Sequence, residues 1–144
     1  MEELINQTQA ASEFEYEIIF VKFKYIEIRD LLKHFLTLIS ASLVFSVTFS
    51  EKIIDFQNAP SKQKLVLYLS WGALILSLGL CGYGLYTNYL AAEIAIKRIN
   101  GLSESSFKNT AKISHLFQNL SAILYGLGLT LLISTSLFKI KKTT

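Results

Sequence analysis

Three windows without a charged side chain constrain this chain more than any other feature. They run from His34 to Ser50, from Leu65 to Ala92 and from Ile113 to Phe138. All 14 Lys and Arg and all 11 Asp and Glu lie in the segments around them. A helix needs about 20 predominantly apolar residues to cross a hydrocarbon core. The second window meets that requirement with LVLYLSWGALILSLGLCGYGLYTNYL, and the third with LSAILYGLGLTLLISTSLF after a polar opening at Ser114, His115, Gln118 and Asn119. The first is the shortest. Phe35–Phe49 spans only if Leu31 and Leu32 join it while Lys33 snorkels, or if Ile53 and Ile54 extend its far end.

One such window would fit the buried core helix of a soluble domain. Three in 144 residues would leave too little polar surface to cover them. Charged residues make up 17% of the chain, against about a quarter in an ordinary soluble domain. The sequence therefore predicts a single all-α membrane domain over residues 1–144, with three transmembrane helices and a long N-terminal helix extending out of the bilayer. The expected segments are an extramembrane helix over 12–33, spans over 33–54, 65–90 and 116–138, a connecting helix and loop over 91–113, and a basic tail over 139–144. The opening MEELINQTQAASE has no basic stretch before an apolar one, so no cleaved signal peptide is predicted.

The N-terminal helix is read from its period. EFEYEI alternates like a strand, but the alternation slips at Phe20–Val21. A helical stripe holds longer: Phe14, Ile18, Val21, Tyr25, Ile28, Leu32, Phe35 and Ile39 step by four and three. Ser12 is the expected N-cap, with Glu13 and Glu15 in the first turn. The stripe Phe14, Ile18, Val21, Tyr25, Ile28 and Leu32 has two readings of equal standing: self-association or binding of a partner helix, and packing within its own protomer. Residues 1–34 carry seven acids against four bases, which disfavours a surface helix drawn to anionic lipid.

Between the first two spans, EKIIDFQNAPSKQK reads as a turn around the single proline, Pro60. Asn100–Gly101 reads as a helix C-cap with Lys97 and Arg98 in the last turn, and Ser103 as the next N-cap. An N-terminus on the cytoplasmic side places eight of the 14 basic residues inside, which gives the predicted orientation.

In lipid, helices associate through small residues and interhelical hydrogen bonds, because lipid tails are as apolar as leucine. Each window carries small residues at four-residue spacing: Ser42, Ser46 and Ser50; Ala73, Ser77 and Cys81; Ala122, Gly126, Thr130 and Ser134. These are the expected helix-packing residues. A sharper reading has their hydroxyls lining a polar path, which needs several copies because three helices enclose no aqueous channel. Tyr83, Tyr86 and Tyr89 fit an interfacial aromatic belt.

No chemistry of an enzyme is legible. His34, His115 and Cys81 have no metal-ligand spacing, and the two histidines more simply mark an interface than a shared ion or pH sensor. No catalytic residues, cofactor or metal are expected. The window interiors hold no Asp, Glu, Lys or Arg, which disfavours pumps and ion-coupled transporters. GLCGYGLYTN has no phosphate-loop context, and a net charge of +3 from scattered lysines offers no nucleic-acid groove.

TLISASLVFSVTFSEKI, followed by LYLSWGALILSLGLCGYGLYTNYLAAEIAIKRING, resembles a loose group of small bacterial membrane proteins. They share a two-span hairpin, an acidic–basic pair where Glu51 and Lys52 stand here, and a helix after the second span. Some sit beside antiviral defence genes. The resemblance covers roughly residues 30–100, without the N-terminal helix and third span. It implies a membrane effector or partner of a defence system, and carries over no catalytic residue. The expected function is a non-enzymatic protein of the bacterial inner membrane that self-associates and perturbs the bilayer, with lipid, copies of itself and a soluble protein on the N-terminal side as partners. The alternative is a membrane anchor or regulatory subunit of a partner complex.

Overall fold

The computed structural model describes Met1 and residues 14–50, 52, 58–101 and 107–140; side chains are described in 14–50, 52, 58–101 and 108–135. The expected N-caps Ser12 and Ser103, most of the loop over 51–57 and the end of the basic tail lie outside the described residues. Three helices carry the fold: α1 (Phe14–Thr48), α2 (Ser61–Ile99) and α3 (Phe107–Ile140). No strand occurs among the described residues. All three helices are long and apolar enough to cross a membrane.

α2 sets the dimensions. Its 39 residues amount to about 58 Å at 1.5 Å per residue, nearly twice the ~30 Å hydrocarbon core. It starts at Pro60, whose carbonyl accepts from the amides of Gln63 and Lys64 at 2.9 and 3.3 Å. It then continues without a break into the segment expected to connect spans two and three, and ends at Ile99, before the expected Asn100–Gly101 cap. Asn100 N–H donates to the Ile96 carbonyl at 3.1 Å, and Gly101, at φ +70°, donates to the Arg98 carbonyl at 2.9 Å. A left-handed residue at this position favours glycine.

α1 and α3 both run antiparallel to α2 and parallel to each other. α2 and α3 share by far the largest interface, α1 lies on α2 more lightly, and α1 and α3 scarcely meet. In α1 the helix widens over Phe20–Lys24, where the Tyr25 amide donates to the Phe20 carbonyl five residues back. An inserted wide turn shifts the phase of a helix. Glu17 and Phe20 are thus buried before the turn, while Tyr25, Ile28 and Leu32 face α2 after it. The predicted stripe holds from Val21 onward. Phe14 is exposed and Ile18 half-buried, because the wide turn rotates them off the contact.

Two apolar clusters follow from this arrangement. Phe20 meets Ala91, Ala92 and Ala95 of α2, with Val21, Tyr25, Ile94 and Ala111 around them. Leu32 and Ile39 meet Cys81, with Ile28, Phe35, Leu36, Leu78, Leu85 and Tyr125 around them. The α1 stripe from Val21 to Ile39 is thereby occupied within the protomer. At the charged end, Arg98 pairs with Glu17 at 2.8 Å, and Glu17 is only 1% exposed.

Candidate functional site: the packing faces of α2 and α3

α2 buries a strict heptad. Leu67, Leu74, Cys81, Asn88 and Ala95 repeat every seven residues, and Ser70, Ser77, Gly84 and Ala91 do the same three positions later. This is the 3.5-residue period of helices that wind around each other. α3 answers with Ser114, Ser121, Gly128 and Thr135, again every seven residues and all buried. Every step of seven up α2 meets a step of seven down α3.

Small residues at these positions let the backbones approach, and hydroxyls then bond across the seam. Ser70 Oγ donates to the Gly128 carbonyl at 2.7 Å. Ser77 Oγ donates to the Ser121 carbonyl at 2.8 Å, and Ser121 Oγ returns the bond to the Ser77 carbonyl at 2.8 Å. Ser114 Oγ donates to the Gly84 carbonyl at 2.9 Å and accepts from Gln118 Nε2 at 2.9 Å. A Cβ on Gly128 would lie 2.9 Å from Leu74 Cδ2 and 3.4 Å from the Ser70 carbonyl oxygen. Glycine is the residue that fits there.

The predicted packing residues fall unevenly on this seam. Ser77 and Cys81 are buried, and Ala73 is half-buried beside them. On α1, Ser46 is buried while Ser42 and Ser50 are half-buried. Ser42 reaches α3, its Oγ lying 3.1 Å from the Tyr125 hydroxyl. The third stripe lies off this seam: Ala122, Gly126 and Thr130 are exposed and Ser134 is half-buried. The missed residues are Ser70, Gly84, Ser114, Ser121, Gly128 and Thr135. Their signal was present as a seven-residue repeat of small side chains, which a four-residue step drifts away from.

The hydroxyls of the uncovered α3 stripe bond within their own helix. Thr130 Oγ1 donates to its own Gly126 carbonyl at 2.7 Å, and Ser134 Oγ to the Thr130 carbonyl at 2.8 Å. A Cβ on Gly126 would meet nothing within 4 Å, and the same holds for Gly72 and Gly79 of α2. Buried polar groups elsewhere are mostly bonded, but Asn88 Nδ2, at an inward heptad position of α2, has no hydrogen-bond partner among the described residues. Trp71 is half-buried and sits edge-on to Tyr68 at 5.7 Å.

His34 and His115 are both exposed, and no group of three or more His, Cys, Asp and Glu that could hold a metal occurs among the described residues. Tyr83, Tyr86 and Tyr89 are exposed together on α2. The chain matches no family model, and no curated protein or solved structure matches it.

Proposed function

We propose that the three helices cross a bacterial inner membrane, with the N-terminus in the cytoplasm, and that the chain self-associates there to perturb or permeabilise the bilayer as a defence or toxin-type effector. The observation that carries this reading is the small-residue stripe of α3 around Gly126, which the protomer's own packing leaves uncovered. Such a stripe permits close approach of another helix in lipid. Gly72 and Gly79 offer a second uncovered face on a different helix, and contacts between unlike faces close into rings when the rotation allows.

The interface level supports the spanning orientation. Tyr83–Tyr89 on α2, the polar opening Ser114–Asn119 on α3 and Lys33–His34 on α1 lie at one height, because Gly84 bonds Ser114 and Cys81 packs on Leu32. Below that level the stretch of α1 from Leu32 to Thr48 measures about 25 Å at 1.5 Å per residue. A span shorter than the ~30 Å core thins the surrounding bilayer or drives helices together. Either response is a route to perturbation.

A potential-sensitive dye in expressing cells, together with dye-loaded liposomes, tests the proposal. Depolarisation and leakage in the active state are expected, and their absence in both ends the reading. The second reading, a membrane anchor or regulatory subunit, draws on a different surface. Tyr16, Ile19, Phe23 and Ile26 are exposed along the charged part of α1, with Phe23 at 62%. Purification in mild detergent separates the two, since a stoichiometric soluble partner on this surface, without extra copies of the chain, favours the second.

A further inference from the structure

α1 and α3 leave a groove between them of about 220 Å³, lined by Leu31, Leu32 and Phe35 on one side and Gln118, Asn119 and Ala122 on the other. It opens because both helices lean on α2 rather than on each other, and because α3 places only a methyl group at Ala122. Beside the groove, the Tyr125 ring meets Phe35 edge-on at 5.3 Å and its hydroxyl lies 3.1 Å from Ser42 Oγ.

We propose that this groove seats one anionic phospholipid, an acyl chain lying on Leu31, Phe35 and Ala122 and the phosphate held by Asn119, His115 and Lys112. The inference rests on the spanning orientation proposed above. Lys112, His115, Asn119 and Ala122 step by three and four, so they line one face of α3 running from the polar end into the groove. All four are exposed. The charge at the mouth suits an anion. α3 holds no Asp or Glu anywhere along Phe107–Ile140. On the α1 side Lys24 lies over the Tyr16 ring at 4.8 Å, Glu27 is exposed, and Asp30 is already paired with Arg29 at 3.2 Å. A second copy does not fit in the groove, since a helix with its side chains is about 10–12 Å across. A single chain does fit, and the two carboxamides stand where the glycerol and phosphate oxygens of that lipid would lie.

Native mass spectrometry of the full chain in mild detergent, titrated with phosphatidylglycerol, phosphatidylcholine or inorganic phosphate, tests this. Lipid adducts are counted on the monomer peak, which separates the site from self-association, and a carbonate wash of membranes tests the spanning orientation separately. One saturable phosphatidylglycerol adduct is expected, favoured over phosphatidylcholine by roughly fivefold or more for the cations involved. Ala122→Trp, which fills the groove, removes that adduct. Ile123→Trp, at a 60% exposed position on another face, leaves it in place. Lys112→Gln narrows the preference between the two lipids. Equal binding of both lipids by the wild type, an adduct that survives Ala122→Trp in a folded chain, or equal occupancy by inorganic phosphate overturns the proposal.

Discussion

Along the α2–α3 seam, small residues recur every seven positions and hydroxyls bond to facing carbonyls, whereas α1 lies on α2 through side-chain bulk and scarcely touches α3. The difference shows two ways of holding helices together. In the seam the backbones are close enough for serine to bridge them, so shape and hydrogen bonds act at the same positions. Beside α1, Leu32, Phe35 and Ile39 fill the space with bulk, and one hydroxyl contact, Ser42 to Tyr125, reaches across to α3. The seam is therefore the hydrogen-bonded half of the molecule, and α1 is the half held mainly by side-chain bulk.

Breaking the comparison starts at Gly128. Replacing it with leucine drives a side chain into Leu74 and the Ser70 carbonyl. Overpacking of this kind costs about 1–3 kcal/mol or more, and a clear drop in the unfolding midpoint in detergent is expected. Gly126→Leu, two residues away on the uncovered face, leaves that midpoint unchanged. Equal loss at both positions would remove the distinction between a seam and a free face.

Next comes Ser121→Val, which removes the bond from Ser121 Oγ to the Ser77 carbonyl and keeps the Ser121 carbonyl for Ser77 Oγ. Interhelical hydrogen bonds in membranes are worth about 0.6–2 kcal/mol, so a smaller drop than for Gly128→Leu is expected in the same titration. Asn88→Leu goes in the opposite direction. Removing a buried amide without a partner raises stability by roughly 1 kcal/mol, and a fall instead would show that Asn88 is bonded in the membrane.

Tyr125→Phe sharpens the other half. It deletes the contact to Ser42 while keeping the ring against Phe35, and a small loosening of α1 is expected in hydrogen exchange, with the α2–α3 amides unchanged. The smallest effect belongs to Lys97. The hydrogen bond it donates to Glu93 Oε1 at 2.7 Å raises its pKa above the ordinary 10.5. A raised lysine contributes its stability below that value and loses it as pH rises through the shifted one. The pair is solvent-exposed, so Glu93→Gln leaves the midpoint at neutral pH unmoved.

Much of this architecture is legible in the sequence, for a simple reason. Absence of charge over a spanning length has few alternative meanings, and Gly101 after Lys97 and Arg98 marks a helix end by backbone geometry alone. The stripe from Val21 to Ile39 is legible as an apolar face because α1's charged part still separates a polar face from an apolar one. Inside the neutral windows that contrast vanishes, since both the exposed face and the packed face are apolar. Small residues then remain the only signal, and α3 carries them on two faces. The four-residue stripe at Ala122, Gly126, Thr130 and Ser134 and the seven-residue stripe at Ser114, Ser121, Gly128 and Thr135 compete, and the partner helix decides between them. α2 holds the matching repeat of small residues at Ser70, Ser77, Gly84 and Ala91. The wide turn at Phe20–Lys24 leaves a trace as the slip at Phe20–Val21, but a slip alone does not say which residues turn inward.

Self-association across the uncovered face of α3 is the central claim. Disulfide crosslinking in native membranes addresses it directly, with Cys81→Ser as background and single cysteines placed at Gly126 or at Ser121. Oxidation is predicted to join copies through Gly126→Cys and not through Ser121→Cys, which faces α2 within its own protomer. A monomer at both positions, or a crosslink from position 126 to a different polypeptide alone, would contradict it.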